Sequence, residues 1–116
     1  MSEFVIYHNP RCSKSRQTLA LLEQRNVKPE VVEYLKTPPS IEELSEIVEQ
    51  LGISARQLLR KGEVEYKDLN LADESLTEQQ LIQAMCDHPK LIERPIVIYN
   101  GKAKLGRPPE AVLEIL

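Results

Sequence analysis

The sequence predicts an α/β fold: a four-stranded mixed sheet flanked by helices, with a helical insertion between its second and third strands. Three observations carry this. The chain opens strand–helix–strand, its middle holds three helix-start signals in close succession, and its last quarter holds two strands joined by Asn100-Gly101.

Phe4-Val5-Ile6-Tyr7 is a short aromatic and β-branched run, the signature of a strand. Leu19, Leu21 and Leu22 mark a helix over roughly Ser13 to Arg25, and Val31-Val32-Glu33-Tyr34 is a second strand. Strand, crossover helix and strand make a βαβ unit, so these two strands are expected to be parallel. Pro38-Pro39 ends that run.

Ser40, Ser54 and Thr77 each stand three residues ahead of Glu43, Gln57 and Gln80, the capping-box spacing. Ile53 with Leu58 and Leu76 with Leu81 have the spacing of a hydrophobic staple. Behind the first cap, Ile41, Leu44, Val48 and Leu51 form one apolar stripe. The acidic positions from Glu42 to Glu49 fall to the wet face of the same helix. The segment from about 40 to 88 is therefore expected to be all-helical.

Ile96-Val97-Ile98-Tyr99, Asn100-Gly101 and Lys102-Ala103-Lys104-Leu105 predict a hairpin, because Asn-Gly suits a type I′ turn. Gly106-Arg107-Pro108-Pro109 breaks the chain, and Glu110 to Leu116 is expected to close it as a short helix. With the helical block set aside, the order β-α-β then β-β-α is that of a thioredoxin-like domain. The expectation is one such domain over 1–116, with its insertion at about 40–88.

Composition narrows the function. A chain of 116 residues suffices for one self-standing domain. Its 41% hydrophobic and 28% charged residues are ordinary for a globular protein. A formal charge of −3 argues against nucleic-acid binding through a basic surface. No apolar run reaches membrane-spanning length and no signal-peptide pattern is visible, so a cytoplasmic location is expected. Two cysteines make no disulfide framework, and a reducing compartment keeps them as thiols.

One of these cysteines is placed for chemistry. Cys12 lies between the first strand and the first helix, where free backbone N–H groups and the helix dipole favour an anion. A thiol held there has a lowered pKa, and the thiolate is the nucleophile. Arg11, Lys14 and Arg16 add positive charge around it. Cys86 follows Ile82 and Met85 along a helix and is expected to be a core residue. His88 stands before Pro89 at a helix end and is given no chemical role. Two histidines and two scattered cysteines lack metal-ligand spacing, so no metal is expected.

The run His8-Asn9-Pro10-x-Cys12-x-x-Ser15-Arg16-x-Thr18-Leu19 resembles the active-site loop of the glutaredoxin-coupled arsenate reductases, which are related to the Spx-type regulators. The resemblance spans essentially the whole chain. It implies that Cys12 attacks arsenate and that His8 assists it. It also implies that Arg60, Arg94 and Arg107, with Asn9 and Ser15, bind the oxyanion. No bound cofactor is implied; glutathione and glutaredoxin act as external reductants, and the protein works as a monomer. Because position 15 is Ser15, the loop reads Cys-x-x-Ser and has no second thiol to resolve its own adduct. The resemblance further implies a cis proline at Pro95. Ser13-Lys14 departs from the Gly-Thr common after the family cysteine.

Arginine suits this task as a planar, permanently charged fork for tetrahedral oxyanions. Arg94 and Arg107 each precede a proline, which restricts their backbones. Arg60 sits with Arg56 and Lys61 on what is expected to be one helix, near Glu63 and Glu65. Two other functions compete: a regulatory binding protein of the Spx kind, and a thiol oxidoreductase acting on another small oxyanion. The missing second cysteine counts against the first.

Overall fold

The computed structural model describes residues 4–116. The chain divides into two compact units, one formed by the chain up to Thr37 together with Arg94–Leu116, the other by Pro38–Glu93.

In the first unit, strand β1 (Phe4–Tyr7) leads through a short loop to helix α1 (Ser13–Gln24) and then to strand β2 (Glu30–Val32). Strands β3 (Ile96–Tyr99) and β4 (Lys102–Leu105) complete a sheet of order β2-β1-β3-β4. β1 and β2 are parallel, with Ile6 opposite Val31, while β1–β3 and β3–β4 are antiparallel. The fold is thioredoxin-like, as the element order predicted. Asn100 (φ 52°) and Gly101 (φ 77°) both take left-handed backbone, which a type I′ turn requires. Ile6, Leu22, Val97, Val112 and Ile115 form the core of this unit, with Phe4, Leu19 and Tyr99 packed on its margin.

Two boundaries differ from expectation. The second strand pairs only over Glu30–Val32, because the ladder ends at Tyr7 opposite Val32 and the His8 N–H bonds the Val32 carbonyl at 2.9 Å. The Glu33 carbonyl then accepts from the N–H groups of Lys36 and Thr37, which turns the chain under the fully buried Tyr34. The closing helix is a 3₁₀ helix starting one residue earlier, Pro109–Ile115. Its buried residues Pro109, Val112 and Ile115 recur every third position, the period of a 3₁₀ helix.

The second unit holds α2 (Ile41–Leu51), α3 (Ala55–Leu58), α4 (Val64–Asp68) and α5 (Glu78–Asp87). All three anticipated caps form reciprocally: Ser40 with Glu43, Ser54 with Gln57, and Thr77 with Gln80. The buried stripe of α2 is Leu44, Ile47 and Val48, so its centre lies between the positions the spacing suggested. The segment is less helical than expected. After α3 the chain extends, Leu59 bridges Ile92, and the Arg60 N–H bonds the Leu91 carbonyl at 2.8 Å. This pairing carries the unit's limit to Glu93, beyond the expected end of the helical insertion near 88. The N-cap of α4 is Glu63, whose side chain makes no capping bond, so this helix left no start signal to find.

Candidate functional site

Cys12 occupies the N-cap of α1 with extended backbone, and no side chain caps that helix. The α2, α3 and α5 helices satisfy first-turn N–H groups with a hydroxyl and an amide or carboxylate; α1 begins instead on a sulfur. The backbone N–H groups of Ser15 and Lys14 turn to that sulfur. This is the free end of a helix made available to an anion.

The loop that carries Cys12 is held from within. Asn9 Oδ1 accepts from the Arg11 N–H at 3.0 Å, and the Asn9 carbonyl accepts from the Cys12 N–H at 3.0 Å. Arg16 donates through Nη1 to the Pro10 carbonyl at 3.0 Å, so its charge also braces the loop. His8 is buried, and its Nδ1 lies 2.6 Å from Ser15 Oγ. That hydroxyl, fully buried, also accepts from the Asn9 N–H at 3.0 Å. Ser15 thus reaches the sulfur through its main chain, while its side chain serves His8 and Asn9.

Two arginines arrive from the segments that flank the β3–β4 hairpin, Arg94 just before β3 and Arg107 just after β4. The Arg94-Pro95 and Arg107-Pro108 peptide bonds are both cis, the first as the resemblance implied and the second without a sequence signal. The Arg94 side chain hydrogen-bonds the sulfur. Arg107 Nη2 lies 3.9 Å from Cys12 Sγ, while its Nε donates to the Arg94 carbonyl at 2.8 Å. Gly106 makes the approach possible: its N–H bonds the Pro95 carbonyl at 2.9 Å, and a Cβ there would overlap Thr18 Oγ1 and the Pro95 ring.

These surroundings decide the charge on the sulfur. Burial pushes the thiol up, but it is outweighed by the Ser15 N–H, the hydrogen bond and charge of Arg94, and the Lys14 N–H. The Cys12 pKa ends below its ordinary value. His8 is also lowered, by burial and by the charge of Arg16, against the opposing pull of Glu33. Its imidazole is therefore biased toward the neutral form.

Cys86 is the opposite case. It is half-buried rather than a core residue, and burial, Asp87 and Glu43 all push its thiol up. Arg60 belongs to the helical unit and lies outside any helix, since α3 ends at Leu58. Its guanidinium bonds Glu93 Oε1 at 3.0 Å and Glu63 Oε2 at 3.4 Å. Among the described residues, no three His, Cys, Asp or Glu side chains gather to hold a metal ion, and no helix is long and apolar enough to cross a membrane.

The site therefore gathers Cys12, His8, Asn9, Ser15, Arg94 and Arg107 within one unit. Sequence reasoning missed the main-chain donors of Lys14 and Ser15 as named atoms, and the Thr18–Gly106–Pro95 packing beneath them. Neither leaves a side-chain signature beyond a glycine next to an arginine.

Residues 7–115 match the ArsC family. Over 117 aligned residues the chain is 50% identical to an arsenate reductase of Neisseria meningitidis, with full coverage of both chains. It is 62% identical over 112 residues to the uncharacterized protein YfgD of Escherichia coli K12, covering 96% of this chain and 94% of that one. The solved structure of an arsenate reductase from Vibrio cholerae is 58% identical, covers 97% of each chain and superposes with a TM-score of 0.96. A match across nearly the whole chain, in sequence and in fold, settles the kinship: this protein belongs to the ArsC family.

Proposed function

We propose that the protein is an arsenate reductase, an oxidoreductase that works through the Cys12 thiolate. One observation carries this: the sulfur lies on the free end of α1 with the Arg107 guanidinium 3.9 Å away, in a chain half identical to an arsenate reductase along its full length. The same cations and N–H groups that favour a thiolate also suit a doubly negative tetrahedral substrate.

In this reading the Cys12 thiolate attacks arsenic and an arsenate oxygen leaves as water or hydroxide, forming a sulfur–arsenic bond. Arg94 and Arg107 offset the charge on the remaining oxygens. The Cys-x-x-Ser loop offers no second thiol, so glutathione supplies it. The two sulfurs join as a disulfide, the sulfur–arsenic bond breaks, and its electron pair reduces arsenic from pentavalent to trivalent. Glutaredoxin then reduces the Cys12–glutathione disulfide by thiol exchange. His8, biased to the neutral form, is suited to handle the proton. A cytoplasmic, monomeric protein without a bound cofactor fits this cycle.

The test is arsenate-dependent NADPH oxidation in the presence of glutathione, glutaredoxin and glutathione reductase. Turnover is expected, and Cys12→Ser should abolish it. Equal rates for the two proteins would end the proposal.

A further inference from the structure

A cleft of about 420 Å³ opens beside the Cys12 loop, walled by His8, Asn9 and Arg11 from that loop and by Glu33, Leu35 and Lys36 from the turn after β2. Its volume lies in the range of small-molecule sites, about 300–1,000 Å³. Its lining carries two cations and one carboxylate, and this mixture decides the ligand. A small dianion gains nothing from a wall that includes Glu33. A molecule with two carboxylates and one ammonium finds an opposite charge for each.

We propose that this cleft binds glutathione, with its two carboxylates toward Arg11 and Lys36 and its ammonium toward Glu33. The assignment rests on Cys12 working with an external thiol, as proposed above. At neutral pH glutathione carries two ionised carboxylates and a protonated amine, the complement of this lining. Glu33 and Lys36 now face each other at 3.4 Å, with the lysine side chain 79% exposed. An exposed pair of this kind contributes little, so a ligand opens it at small cost. An extended tripeptide spans roughly 10 Å. Arg11, in the cleft wall, directly precedes Cys12 in the chain, so the cleft adjoins the loop whose sulfur the ligand's thiol would have to meet.

Titration of ¹⁵N-labelled Cys12→Ser protein with S-methylglutathione, which cannot form a disulfide, tests the assignment directly. Saturable amide shifts are expected at residues 8–11 and 33–36, and Lys36→Glu should weaken binding roughly three- to tenfold. In turnover, Lys36→Glu should raise the KM for glutathione and leave the KM for arsenate unchanged. Shifts that saturate elsewhere, or binding indifferent to Lys36→Glu, would overturn the cleft. Cleft binding without arsenate turnover would support the cleft while refuting the arsenate reading, so the two failures are distinguishable.

Discussion

Ser15 links His8 to Cys12: its hydroxyl lies 2.6 Å from His8 Nδ1, and its own N–H turns to the Cys12 sulfur. One residue therefore fixes the imidazole with its side chain and stabilises the thiolate with its main chain. The two functions separate on mutation. Ser15→Ala leaves His8 Nδ1 and the Asn9 N–H without their buried partner, so a loss of about 1–3 kcal/mol is expected in urea unfolding. The N–H donor survives, and alkylation of Cys12 should still titrate below the range of a free cysteine.

Arg94 and Arg107 should differ in the same alkylation assay. Arg107 Nη2 donates to the sulfur at 3.9 Å while its Nε is tied to the Arg94 carbonyl, but it is the hydrogen bond and charge of Arg94 that lower the thiol's pKa. Removing a cation disfavours the thiolate, so Arg94→Ala should move the alkylation midpoint upward, and by more than Arg107→Ala does. Both should lower kcat/KM for arsenate by roughly ten- to a hundredfold, the loss expected for a charge-assisted hydrogen bond.

His8 predicts an acid-side loss of stability. Burial sets its folded pKa below the ordinary 6.5, with Arg16 adding to that and Glu33 opposing it. The unfolded chain therefore binds more protons between the folded value and 6.5, and stability rises with pH through that window. Acidification below 6.5 should lower the Tm of the wild-type protein. His8→Gln should flatten that part of the profile, and an unchanged profile would place the acid sensitivity elsewhere.

Gly106→Ala tests the packing under the site. The added methyl meets Thr18 Oγ1 and the Pro95 ring, both held in place by the sheet and α1. Overpacking of this kind costs about 1–3 kcal/mol, readable as a lower urea midpoint. Because the shift displaces the Arg94-Pro95 and Arg107 segments, thiol reactivity should fall in parallel.

Much of this was legible in the residues, and the exceptions have physical causes. The three capped helices and the Asn100-Gly101 hairpin were readable because their determinants are local: a hydroxyl three residues from its partner, or a turn that needs left-handed backbone. Cys12 was readable because a strand-to-helix junction fixes its place. The end of β2 was not, since it depends on where β1 stops offering partners. Arg60 was misplaced on a helix because Leu59 pairs with Ile92, thirty-three positions away, and that contact overrides a helix-compatible sequence. The cis bond at Arg107-Pro108 had no local cue at all.

The contrast between the two thiols makes the protein its own single-site reporter. Cys12 is shifted toward the anion by hydrogen bonds and a guanidinium, and Cys86 away from it by burial and two carboxylates. Near neutral pH an electrophile such as iodoacetamide should label one position per chain, and intact mass would count it. A fluorophore or spin label can thus be attached beside the reacting sulfur with no cysteine removed, and substrate protection against labelling gives occupancy of the pocket without any turnover.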